Sequence, residues 1–99
     1  MWTKLKTEGQ VLSEGTVVLD EESDMGARIT LEKGGMVAPW SITCGIYGTM
    51  AHTAFAATKA EALEKYEKMK IELEKLIPLW DEDKKLFYKA VEEFTQKYI

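Results

Sequence analysis

The sequence predicts an α+β fold, a four-stranded antiparallel meander with two C-terminal helices packed on one face. Two observations predict it. All seven glycines and Pro39 precede Thr58, together with the β-branched clusters. From Thr58 onward there is no glycine, and Lys, Glu, Leu and Ala dominate. Strand-forming residues followed by helix-forming residues read as segregated layers of one α+β unit. With 99 residues, one domain is expected, residues 1–57 forming the sheet and 58–99 the helices.

The first strand is expected over Val11 to Asp20, with Val17 and Leu19 facing inward. Asp20-Glu21-Glu22-Ser23-Asp24 follows as a turn, because these residues favour loops. Ala27 to Lys33 is the cleanest strand. Ala27, Ile29 and Leu31 alternate with Arg28, Thr30 and Glu32, which is the period of two. Gly34-Gly35 ends it.

Trp40 to Ala57 is too long for one ordinary strand of ~5–6 residues. Gly48-Thr49 suits a two-residue hairpin turn. Strands are therefore expected at Trp40 to Tyr47 and Met50 to Ala57. Tyr47 then pairs with Met50, Gly45 with His52 and Thr43 with Ala54. Ile46, Cys44 and Ile42 share the opposite, core face with Ala51, Thr53 and Phe55. Gly48 as a bulge in one bent strand stays open as the alternative, and it slips the register by one.

Thr58-Lys59-Ala60-Glu61 is a capping box that opens a helix running to Ile77, where Pro78 stops it. Ala62, Tyr66, Met69, Leu73 and Leu76 form its apolar stripe. A second helix is expected from about Asp81, with Phe87, Ala90, Val91, Phe94 and Tyr98 facing the sheet. Asp81, Glu82 and Asp83 suit its positive N-terminal end.

The formal net charge is −4, and both the sheet half and the helical half are acidic. No basic stripe exists to follow a phosphate backbone, so no nucleic-acid partner is expected. Cys44 is the one cysteine and cannot form an internal disulfide. No apolar run approaches a membrane span, and Met1 to Lys6 lacks the apolar region of a signal peptide. The expectation is a soluble cytoplasmic protein without a membrane association.

Candidate chemistry is sparse. One His and one Cys do not make a metal site, and on the hairpin register they face opposite ways. The acidic stretch from Asp20 fails as a calcium loop, with Met25 where Gly is needed and Leu31 where Glu is needed. Gly45-Ile46-Tyr47-Gly48 lacks the Lys-Ser or Lys-Thr of a phosphate loop. No catalytic residue, metal or cofactor is therefore assigned. Arg28 is the only arginine, a side chain built for bidentate recognition of carboxylate or phosphate. Its expected partners are Glu14 or Glu32 of the same sheet.

Function rests on the sheet face away from the helices. That face is expected to display Val18, Arg28, Tyr47, Met50 and His52 among polar residues. Tyr, Met and Arg are enriched in interfaces and Lys is depleted. The first reading is thus a self-associating binding or interaction module, a homodimer built on this face. The alternative is a small-molecule binder or enzyme using His52, Arg28 and Tyr47. A regulatory protein acting on an unrelated partner is a third reading, with only the acidic surface behind it.

Overall fold

The computed structural model describes residues 1–12 and 14–99. Ser13, part of the expected first strand, lies outside the described residues. The chain runs β1 (Trp2–Lys4), β2 (Val11–Leu12), β3 (Gly15–Ser23), β4 (Ala27–Lys33), β5 (Trp40–Ile46), β6 (Met50–Ala56), α1 (Lys59–Leu76), α2 (Leu79–Glu82) and α3 (Lys84–Lys97). The fold is α+β with one antiparallel sheet and C-terminal helices, as expected. The sheet has six strands rather than four. The two extra strands are short and share one edge, β1 against the end of β3 and β2 against its start. β1 is too short to show an alternating pattern, and Val11–Leu12, expected as the start of the first strand, instead forms a strand of its own paired with β3.

One face of the sheet is core. Ala27, Ile29 and Leu31 of β4 meet Ile42, Cys44 and Ile46 of β5, under Tyr66, Met69 and Leu73 of α1. Phe87 and Phe94 of α3 complete this layer. The apolar stripes expected on both helices are largely the buried ones.

The first strand departs from expectation at both ends. It extends to Ser23, straight through the acidic residues read as a turn, and the turn falls at Asp24–Gly26. Local turn preference is overridden because these carboxylates find partners distant in sequence, Asp20 in Arg28 and Thr30 of β4, Glu21 in Tyr66 and Lys70 of α1, and Glu22 in Tyr47. The register also shifts between Val17 and Leu19, leaving Val18 as a bulge. Leu19 therefore pairs with Leu31 and faces the helices, whereas Val17 pairs with Glu32 and faces the other way.

The β5–β6 hairpin is slipped by one residue from the expected pairing. Its loop has three residues, Tyr47, Gly48 and Thr49, and Ile46 pairs with Met50. The Thr49 amide donates to the Ile46 carbonyl at 3.0 Å, and Gly48 has φ +77°. A positive φ at the third position of a four-residue turn is the signature of type II, which Gly accommodates without a Cβ clash. The slip reverses every β6 side chain. His52 and Met50 face the helices, while Ala51, Thr53 and Phe55 face outward.

The Thr58 cap is present, its hydroxyl accepting from the Glu61 amide at 3.2 Å. The C-terminal helix starts later than expected. A four-residue helix at Leu79–Glu82 comes first, and Asp83 caps α3 by accepting from the Leu86 amide at 3.2 Å. Thr58→Ala should lower stability by about 1 kcal/mol, since it removes an acceptor for a first-turn amide. Chemical denaturation checks this, and an unchanged midpoint would remove the cap from the account of α1.

Candidate functional site

The outer face of the sheet is a groove of about 530 Å³. Its floor comes from Arg28, Thr30 and Glu32 of β4 and from Thr43 and Gly45 of β5, with Leu12, Tyr47 and Ala51 at its margins. The floor residues alternate with the core residues of the same strands, so a single period of two builds both the core and the groove.

The polar groups of this face are tied together by Asp20. Its carboxylate accepts from Arg28 Nε at 3.0 Å and Nη2 at 2.5 Å, from Thr30 Oγ1 at 2.9 Å and from Thr7 Oγ1 at 2.7 Å. Burial alone would raise its pKa, but the hydrogen bonds from Arg28, Thr7 and Thr30 outweigh it and hold Asp20 below the ordinary carboxylate range. Arg28 is held charged by the same pair. Its partner is therefore Asp20, not the expected Glu14 or Glu32. The extension of β3 brings Asp20 opposite Thr30, diagonal to Arg28. Beside this pair, Tyr47 donates its hydroxyl proton to Glu22 at 2.5 Å, and that bond raises the phenol pKa.

Glu32 is different. It is only 3% exposed and lines the groove, and its Oε2 accepts from the Glu14 amide at 3.0 Å. Among the described residues no Lys, Arg or His lies within ion-pair distance of it. Burial, with the nearby Glu14 and Asp20 charges, pushes its pKa above the usual value despite backbone hydrogen bonds. Ser41 pairs with Glu32 across the sheet, and its buried Oγ has no hydrogen-bond partner. The Glu14 backbone is held close by a glycine: a Cβ on Gly35 would fall 1.7 Å from the Glu14 carbonyl oxygen.

The structure separates the five residues expected to share the outer face. Arg28 and Tyr47 lie there and line the groove. Met50 borders the groove at its hairpin end, but its strand position faces the helices. Val18 sits in the bulge and packs against the core. His52 also faces the helices, with Nε2 against the Tyr98 carbonyl and its ring edge-on to Phe94 at 6.2 Å. Arg28 and His52 therefore do not converge. Cys44 and His52, expected on opposite faces, are direct cross-strand partners on the same face. Burial pushes the Cys44 thiol up to about 12, which leaves it unreactive.

Sequence reasoning placed Glu32 and Ser41 on the outer face, where they lie, but missed Asp20 as the partner of Arg28 and the burial of Glu32. Glu32 carried one usable signal, a charged residue centred in the most regular alternating strand. Asp20 carried none, because it read as part of a turn. A smaller hollow of about 260 Å³ lies between α1 and α3, but Lys97 and Glu72 beside it are committed to each other at 2.6 Å. Among the described residues there is no cluster of three or more potential metal ligands, and no helix is long and apolar enough to cross a membrane. Comparison with protein-family models, with curated proteins and with solved structures finds no match to this chain.

Asp20→Asn should lower stability at pH 7 by about 2–3 kcal/mol, because Arg28 and two hydroxyls lose a buried anionic acceptor. The folded-state pKa of Asp20 lies below the ordinary 3.8 of a free aspartate. Its stabilisation is thus complete above that value and disappears as pH falls through the lower folded-state pKa. Denaturation midpoints measured from pH 7 to 2 should fall less steeply for the variant. Superimposable curves for the two proteins would contradict this role.

Proposed function

We propose that this chain is a small-molecule-binding module whose site is the groove on the outer face of the sheet. One observation carries the reading. A concavity of about 530 Å³ has apolar margins and a short set of converging polar groups, including the buried carboxyl of Glu32. That size and composition are those of ligand sites in general. The arrangement offers binding groups without a nucleophile paired to a base, so the reading is of a binder and not an enzyme. Two-dimensional amide NMR with a set of aromatic fragments of differing charge tests it. Saturable shifts are expected at Arg28, Thr30, Thr43 and Gly45. Ala51→Trp, which fills the groove from an exposed position, should abolish them without unfolding the protein. Shifts confined to the helices, or unaffected by Ala51→Trp, would refute the site.

A homodimer remains the second reading, supported by β6 rather than by the residues first chosen for it. Met50–Ala56 is an edge strand with no charged residue, proline or bulge, the devices that usually keep such edges apart. The Phe55 amide is turned outward, donating to the Ile99 carbonyl at 3.3 Å. By alternation, Ala51 and Thr53 also direct their backbone groups away from β5. Two copies pairing antiparallel along this edge would satisfy them about a two-fold axis. Light scattering coupled to size exclusion should give twice 11.3 kDa for the wild type and the single mass for Thr53→Pro. A wild-type mass of one chain at all concentrations excludes this pairing.

A further inference from the structure

We infer that the groove selects an organic cation, a primary ammonium on an apolar or aromatic body, with the ammonium seated against Glu32. The inference rests on the groove being a ligand site and names what that site prefers. Glu32 is a nearly fully buried carboxyl that opens on the groove without a cationic partner among the described residues. A buried charge in this condition is costly, and pairing with a cation relieves it. A primary ammonium brings three donors and no acceptor, which suits a buried carboxylate that has no cationic partner.

The charge around the groove agrees. Asp20, Glu22 and Glu32 share the outer face with Arg28 as their one guanidinium, and two of its nitrogens are already spent on Asp20. Glu14 adds a further carboxylate near Glu32. Arg28 lies four residues from Glu32 on the same strand, about 13 Å along it, too far to neutralise that end. An anion entering there would meet uncompensated negative charge. Leu12 and the Tyr47 ring on the margins supply apolar surface for the rest of the ligand.

The test uses three probes with one body: benzylamine, benzyl alcohol and benzoate, titrated into the intact protein and followed by amide NMR. Benzylamine should shift Thr30, Glu32 and Thr43 at least about tenfold more tightly than the alcohol, a charged hydrogen bond being the difference. Glu32→Gln should erase that preference, bringing the affinity for benzylamine down to that for the alcohol in the same variant. In the unaltered protein, saturating benzylamine should lower the midpoint of the Glu32 carboxyl carbon titration by about one pH unit, since the amine binds the ionised form. That measurement decides the matter if the variant does not fold. Equal affinities for all three probes, or a preference for benzoate, would overturn the cation preference and leave the groove as a ligand site. No shift at the groove from any probe would overturn both the preference and the site.

Discussion

The bulge at Val18 is the constraint on which the two sides of this sheet depend. A strand with strict alternation gives its apolar residues to one face only. By inserting one unpaired residue, β3 sends Leu19 toward the helices and Val17 toward the opposite side. Val17 is 2% exposed, yet it is not part of the helix-side cluster. It is tied to the N-terminal segment through backbone bonds with Gly9 and Gln10. The protein thus has a full core on one side and a minor apolar support on the other. That support shields the carboxyls beside it.

Past the bulge, alternation resumes through two adjacent acidic residues, and each becomes an anchor on its own side. Asp20 looks outward and gathers Arg28, Thr30 and Thr7. Glu21 looks inward and accepts from Tyr66 at 2.6 Å and Lys70 at 2.8 Å, both on α1. Burial opposes ionisation of Glu21, but Lys70 and Tyr66 prevail and hold its pKa down. The same burial and the same carboxylate push the Tyr66 phenol upward. One dipeptide therefore fixes both the outer polar network and the seat of the first long helix. Removing the cationic partner of either pair would leave a buried carboxylate uncompensated.

The sequence made the architecture legible where pattern and length agreed. Ala27–Lys33 alternates cleanly and is found as read; the Thr58 cap precedes a long periodic run and opens α1, although Glu61 pairs with Lys65 instead of completing a capping box. The same reading failed wherever partners distant in sequence overrode a local preference. Asp20–Ser23 looks like a turn until Arg28, Tyr66 and Lys70 are placed beside it. The hairpin at Gly48 differs by a single residue between two acceptable loops, and that one residue reverses His52, Met50 and Phe55. The groove's floor was legible from the alternation of β4 and β5, which puts Arg28, Thr30, Glu32 and Thr43 on the outer face. Glu32 and Ser41 acquire their meaning from burial, a quantity that alternation alone does not supply.

The glycine at position 35 gives the groove a hidden point of adjustment. No side chain fits between this residue and the Glu14 carbonyl oxygen. The backbone that supplies an amide to Glu32 is therefore packed directly against the loop after β4. Adding a single methyl there forces the two backbones apart and loosens the hold on the carboxyl, although no atom of the groove lining has changed. A substitution in this loop thereby reaches the Glu32 carboxyl through the backbone of Glu14. A designer wishing to retune the groove has a handle outside it, and the small size of residue 35 is as much a part of the site's specification as its charge.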